Sequence, residues 1–133
     1  MKRVHVERNL VREAGAGVAL VTWNTTEAVR QIGFEENDLA TNHMGALIQT
    51  AGAVNHVSLY GNDMNHTQQG INVTANAPTQ VDLVENVIHH SVEGVHVSGE
   101  NTSIVAHFNE FEANEAFGIH ASERADPIDA RDN

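Results

Sequence analysis

The histidines in the central part of the sequence are the side chains best suited to bind a metal ion. His66 and His90 occupy equivalent positions of two successive repeats, and His89 precedes His90 directly. Glu112 takes the position of His89 in the following repeat. Neutral imidazoles together with a carboxylate are ligands for zinc or copper. The sequence therefore predicts a candidate metal site at these four residues, with exposed histidines in a turn as the alternative.

Acidic side chains at another repeat position are a second candidate site. Asp38 and Asp63 each follow a repeated asparagine by one residue, and Glu110 does so two repeats later. Stacked carboxylates could hold calcium, or could act as an acid and base pair, because a neighbouring like charge raises a carboxyl pKa. A crowded acidic surface explains the same residues equally well.

Polar side chains near a repeated glycine are a third candidate site. Asn72, His96 and His120 each come two residues after such a glycine. If they lie on the outside of a strand, they form a row that could hydrogen-bond sugar hydroxyls. We therefore take them as candidate carbohydrate-binding residues, with solvated polar side chains on a strand exterior as the alternative.

One repeat runs along the whole chain and must position all of these side chains. Its pattern is apolar-x-apolar-x-x-Asn-x-apolar, then Gly-apolar-x-apolar. The coils start near residues 4, 32, 57, 81, 104 and 128, and the last is incomplete. The repeated asparagines lie 28, 25, 24, 23 and 24 residues apart. They are Asn9, Asn37, Asn62, Asn86, Asn109 and Asn133.

The alternation of apolar residues predicts short strands with one face inward, and the gap at each asparagine predicts a bend. Coils of this length stack strand on strand, about 4.8 Å apart, and parallel connections are overwhelmingly right-handed. The predicted fold is therefore all-β: a right-handed parallel β-helix (solenoid) of about five complete coils of three short strands, in one domain over residues 1–133. Asparagine tolerates the left-handed backbone of a bend, and its amide can bond the next amide, so the asparagines should form a ladder.

Two stretches of the sequence resemble a known family. Residues 86–95, Asn-Val-Ile-His-His-Ser-Val-Glu-Gly-Val, and residues 109–119, Asn-Glu-Phe-Glu-Ala-Asn-Glu-Ala-Phe-Gly-Ile, are similar to the parallel β-helix repeat of the pectate-lyase-like superfamily. The resemblance covers nearly all of the chain and implies the same right-handed fold. It implies no single function, because that superfamily includes polysaccharide lyases, hydrolases and epimerases, surface proteins and copper-maturation proteins.

Three functions stay open on the sequence alone. The first is a non-catalytic surface or scaffold β-helix of a protein that binds glycan or belongs to the cell envelope. The second is part of a carbohydrate-active enzyme whose site lies mostly outside this segment, and the third is a metal-handling protein. We favour the first, because residues 31–123 contain no lysine or arginine, whereas the lyases of the superfamily use a basic side chain. No cofactor is required, and the candidate ions are calcium, zinc and copper.

Charge and hydropathy limit the partners. The formal net charge of -11 would repel a nucleic acid, so none is expected as a partner, whereas the family resemblance implies polysaccharide or cell-envelope glycan. No apolar stretch reaches transmembrane length, and none follows the basic start of the chain, so we predict neither a membrane span nor a signal peptide. The absence of cysteine excludes disulfides and thiolate metal sites.

Both ends of the repeat array look uncapped. The last repeat stops at Asn133, and the first coil begins at Val4 without a covering helix. We therefore expect a fragment of a longer protein, whose open ends meet further coils of the same chain or self-associate end to end. The family resemblance implies an extracellular, cell-surface or periplasmic location.

Overall fold

The computed structural model describes residues 3–22, 31–51, 56–76, 78–100, 102–122 and 128–133. Within these ranges every regular element is a β-strand, so the all-β prediction is confirmed. In this part of the chain no helix is long and apolar enough to cross a membrane.

The strands recur in groups of three. The first strands of the coils are β1 (Arg3–Glu7), β4 (Gln31–Glu35), β7 (His56–Tyr60), β10 (Thr79–Val84), β13 (Thr102–His107) and β16 (Ile128–Asp129). The second strands are β2 (Leu10–Arg12), β5 (Asp38–Ala40), β8 (Asp63–Asn65), β11 (Val87–His89) and β14 (Glu110–Glu112). The third strands are β3 (Ala16–Thr22), β6 (Met44–Thr50), β9 (Gln69–Ala75), β12 (Glu93–Gly99) and β15 (Phe117–Ala121).

Strands of the same kind stack into three parallel sheets. The first sheet has the order β1-β4-β7-β10-β13-β16, the second β2-β5-β8-β11-β14, and the third β3-β6-β9-β12-β15. Every pairing between described strands is parallel, which makes the molecule a parallel β-solenoid. The five strands of the second or third sheet are separated by four steps, so the solenoid makes about four turns. The sequence count of five coils is slightly higher, because it counts repeats rather than steps between them.

The register keeps equivalent residues of successive coils in columns. In the first sheet Val57 pairs with Ile32 and with Val81, and in the third sheet Ile71 pairs with Ala46. These columns meet along the axis in one apolar core. Its largest fully buried side chains are Ile32, Leu39, Ile48, Leu59, Met64, Ile71, Leu83, Ile88, Ile104, Val57 and Val73. Each contributes roughly 1.5–3 kcal/mol by burial, so the core is the main source of stability.

The predicted asparagine ladder is present at the bend between the first and second sheets. The Nδ2 of Asn62 donates to the Oδ1 of Asn86 at 2.9 Å, and the Nδ2 of Asn86 donates to the Oδ1 of Asn109 at 2.9 Å. The residue before each ladder position has the left-handed backbone, for example Glu85 with φ of 54°. The expectation that asparagine itself takes that conformation was therefore wrong. The amide must stay inside the bend to reach the next coil.

A second polar stack, which the sequence analysis missed, lies at the bend between the second and third sheets. The hydroxyls of Thr67 and Ser91 are 2.8 Å apart, and the backbone N–H of Ser91 donates to the Oδ1 of Asn114 at 3.0 Å. The residues preceding Thr67 and Ser91 are His66 and His90, which have φ of 54° and 53°. Both histidines are exposed, because this bend turns its left-handed residue outward.

Candidate functional site

The outer face of the third sheet carries a row of polar side chains across neighbouring coils. The register places His96 of β12 beside Asn72 of β9 and beside His120 of β15. Each of the three side chains is partly buried. His96 is thus a direct neighbour of both other predicted carbohydrate-binding residues on one surface, since parallel stacking aligns equivalent positions of the repeat.

Glu93 lies between the two histidines of this row. Its Oε2 accepts a hydrogen bond from the Nδ1 of His96 at 2.9 Å, and its Oε1 accepts one from the Nδ1 of His120 at 3.0 Å. Gly94 and Val95 are both buried, which leaves Glu93 and His96 on the same outer side of β12. One carboxylate therefore joins imidazoles from two coils.

Hydrogen bonding sets the electrostatics of Glu93. Its side chain is only 17% exposed, and burial alone would raise its pKa. The hydrogen bonds from His120, Gln69 and His96 outweigh that effect and lower the pKa of Glu93 below its usual value. Glu93 is therefore an ionised acceptor at neutral pH.

Amide and hydroxyl side chains extend the network along the sheet. The Nε2 of Gln69 donates to the Oε2 of Glu93 at 2.9 Å, and the Nδ2 of Asn72 donates to the Oε1 of Gln69 at 2.6 Å. The hydroxyl of Thr74 then donates to the Oδ1 of Asn72 at 3.2 Å. The residues that we call the third-sheet cluster are Gln69, Asn72, Glu93, His96 and His120.

An aromatic side chain borders the cluster. Phe117 is 50% exposed, and its ring lies 4.8 Å, centroid to centroid, from the ring of His120, at an interplanar angle of 33°. The rings of His96 and His120 are 5.0 Å apart and meet edge to face at 87°. The surface therefore combines a flat apolar patch with several hydrogen-bonding groups.

The sequence analysis missed three members of this surface, although a signal for them exists. Gln69, Glu93 and Phe117 each precede a repeated glycine, and the register pairs Glu93 with the other two. An alignment of the repeats at the residue before each glycine places these three side chains in one column, next to the row of Asn72, His96 and His120.

Two residues of the predicted metal site, His66 and His90, lie at the second bend, where their rings stack. The rings of His66 and His90 lie 5.1 Å apart and nearly parallel, at 5°, while the Nε2 of His89 lies 3.0 Å from the Oδ1 of Asp63. Glu112 pairs with His89 in the register of the second sheet.

Ligand atoms from at least three side chains meet within 4.8 Å at two places in the described ranges. These are the groups Glu93, His96, His120 and His5, Glu7, Glu35. The predicted four residues are at neither place, so metal binding by His66, His89, His90 and Glu112 stays a prediction.

Asp38 and Asp63 of the predicted acidic column are neighbours in the register, and each carboxylate contacts a different nitrogen-bearing side chain. Asp38 pairs with Asp63 across β5 and β8. The Nη2 of Arg12 lies 3.3 Å from the Oδ2 of Asp38, while Asp63 faces His89. Each carboxylate thus has its own partner on a neighbouring coil, and both stay largely solvated.

A groove of about 360 Å³ lies on the outer face of the first sheet, and Gly33 is one of its lining residues. His5 lines it, with its Nε2 3.1 Å from Glu7 and 3.6 Å from Glu35. All three side chains are about half exposed, at 46%, 50% and 40%. This second polar site is therefore much wetter than the third-sheet cluster.

Comparisons of the chain with protein-family models, with curated proteins and with solved structures found no match. The assignment to the parallel β-solenoids therefore rests on the sheet topology.

Proposed function

We propose that this protein is a non-catalytic solenoid scaffold that binds glycan on the outer face of its third sheet. The observation that carries the proposal is the hydrogen-bonded third-sheet cluster beside the half-exposed ring of Phe117. The resemblance of the sequence to the pectate-lyase-like repeat supports a right-handed coil and an extracellular, cell-surface or periplasmic location. In such a location the proposed ligands are polysaccharides of the cell envelope.

The chemistry of the surface matches the chemistry of a sugar. Carboxylate, amide and imidazole groups can exchange hydrogen bonds with hydroxyls, while an aromatic ring packs on the apolar face of a pyranose. Groups that are already bonded to one another keep their orientation, which reduces the entropy that binding costs. Because the coils repeat along the axis, the face suits an extended polymer rather than a single sugar.

The charge of the chain selects among glycans. The protein has a formal net charge of -11, and Glu93 adds a carboxylate at the centre of the cluster. A polyuronate or a sulfated glycan would meet repulsion at this surface. The proposed ligand is therefore a neutral polysaccharide.

The test is affinity electrophoresis of the whole chain through gels that contain neutral polysaccharides, such as a glucan, a mannan or a xylan. We expect one of them to retard the protein, and we expect Phe117→Ala and Asn72→Ala to weaken binding about tenfold. The control variant is His66→Ala/His90→Ala, which changes an exposed stack on another face. The proposal would be refuted if no neutral polysaccharide retarded the protein, or if Phe117→Ala and Asn72→Ala bound as tightly as the wild type.

The first-sheet groove favours a second candidate function, part of a carbohydrate-active enzyme. Ligand atoms of Glu7, Glu35 and His5 lie within 4.8 Å of one another, and closely paired carboxylates are what glycoside cleavage uses. We rank it second, because these side chains are about half exposed, whereas catalytic groups work best where water is excluded. Release of reducing sugar by the wild type but not by Glu35→Gln would establish this candidate; no release by the wild type would remove it.

A further inference from the structure

Glu93, His96 and His120 meet as a ligand set for a metal ion. One ligand atom from each side chain lies within 4.8 Å of the other two. Two imidazole nitrogens with one carboxylate oxygen make a common three-residue protein ligand set for zinc, with a fourth position open to water or substrate. We infer that these three residues bind a divalent transition-metal ion of the zinc class.

The two nitrogen–oxygen distances are close to those between the ligand atoms of such an ion. Zinc lies about 2.0–2.2 Å from nitrogen and carboxylate ligands in a tetrahedral site, so its ligand atoms are roughly 3.3 Å apart. In the protein the Nδ1 atoms of His96 and His120 are 2.9 Å and 3.0 Å from the two oxygens of Glu93. All three ligand atoms lie within 4.8 Å of one another, so side-chain shifts of at most about 1.5 Å would bring them onto one ion, which would replace the protons of the two hydrogen bonds.

The surroundings of Glu93 support the site. The Nε2 of Gln69 donates to the Oε2 of Glu93, and Gln69 is itself held by Asn72. Such outer hydrogen bonds orient a ligating carboxylate and strengthen metal binding. The side chains of Glu93 and His96 are 17% and 21% exposed, while that of His120 is 37% exposed. The pre-oriented carboxylate is thus shielded, and an ion can enter past His120.

The charge of the protein also favours a cation. The formal net charge is -11, and residues 31–123 contain no lysine or arginine that would compete for Glu93. His66 and His90 stack ring on ring and, among the described residues, do not belong to a group of three side chains whose ligand atoms lie within 4.8 Å of one another. The two histidine pairs therefore give a matched comparison within one chain.

The test is calorimetric titration of the whole chain with zinc chloride near neutral pH, repeated with cobalt chloride while recording visible absorption. We expect one equivalent of zinc to bind, and cobalt to give the intense visible bands of a tetrahedral site. His96→Ala/His120→Ala should abolish stoichiometric binding, and Glu93→Gln should weaken it at least tenfold. His66→Ala/His90→Ala should bind one equivalent as the wild type does.

Three outcomes would overturn the inference: no stoichiometric binding, binding that survives in Glu93→Gln and in His96→Ala/His120→Ala, or binding lost only in His66→Ala/His90→Ala. Circular dichroism of each variant establishes that it is folded, and the single variant His120→Ala replaces any that is not, because His120 is the most exposed ligand. The inference is independent of glycan binding, since all three ligands belong to the protein. Electrophoresis in the presence of a chelator measures glycan binding without metal, and titration without polysaccharide measures metal binding without glycan.

Discussion

At the residue scale, the interior asparagines satisfy buried backbone groups that no strand can reach. Asn86 is fully buried, and its Nδ2 donates to the carbonyl oxygen of Leu59 while its Oδ1 accepts from the backbone N–H of Asn62. An unpaired buried polar group costs about 1–3 kcal/mol. Asn86→Ala should therefore lower the free energy of unfolding by about 3 kcal/mol, as measured by urea denaturation.

The control for this change is Asn9→Ala, at the exposed first position of the same ladder. Water can replace the hydrogen bonds that Asn9 makes, so its loss should cost under about 1 kcal/mol. Equal losses in the two variants would show that burial of the ladder contributes nothing to stability.

Glu93 gives a pH-dependent prediction at the same scale. Its pKa in the folded protein is below the ordinary value of 4.5. Its ionised form therefore adds stability that is fully present above pH 4.5 and is lost as the pH falls through the folded pKa. The difference in unfolding free energy between the wild type and Glu93→Gln should be largest at neutral pH and should shrink in acid.

Urea denaturation at pH values on both sides of 4.5 measures this difference. The exposed Glu112 offers a matched control, and the Glu112→Gln variant should stay close to the wild type throughout. If the difference in unfolding free energy between the wild type and Glu93→Gln grew in acid, the predicted direction of the pH dependence would be wrong.

At the element scale, the glycine that enters each third strand lets neighbouring coils approach closely. A Cβ atom on Gly45 would lie 2.5 Å from the carbonyl oxygen of Gly70 and 3.0 Å from the side chain of Met64. Because backbone cannot move aside cheaply, Gly45→Ala should destabilise the protein by roughly 1–3 kcal/mol. Thermal unfolding followed by circular dichroism measures this loss.

Gly15 is the matched control, because a Cβ atom there would meet no atom within 4 Å. Gly15→Ala should change the free energy of unfolding by less than about 0.5 kcal/mol. If both variants were equally unstable, the cost would come from the loss of glycine itself and not from the contact between coils.

At the scale of the whole molecule, stability should be a sum of contacts between neighbouring coils. Removal of residues 87–109, one repeat of 23 residues, would join Asn86 to Glu110 in register. The shortened chain should fold with a similar β-sheet spectrum and a lower free energy of unfolding. Size-exclusion chromatography and circular dichroism test this.

Removal of residues 87–98 alone is the control, because it places β13 where a second strand belongs and breaks all three sheets. That chain should be unfolded or aggregated. If both deletions behaved alike, the coils would not be interchangeable units.

The fold could be predicted almost entirely from the sequence, and the site only in part. Apolar residues two positions apart, with Asn at each bend, are local features of the sequence. Because every coil has the same features, each coil can stack on its neighbour. The row of Asn72, His96 and His120 followed from the same repeat. The stacked rings of His66 and His90 also followed in position, but the left-handed backbone before Thr67 and Ser91, which the repeat does not show, leaves those rings exposed.

The sequence by itself determined the coil, because the order of side chains along a strand decides which face is buried. Only the tertiary structure decided that Glu93 bridges His96 and His120, since this contact joins residues of two coils and of two different columns. The contact requires that Glu93 and His96, which flank the buried pair Gly94 and Val95, lie on the same outer face of the strand. Side chains three residues apart in a regular strand lie on opposite faces, so the contact depends on Gly94 and Val95 both being buried.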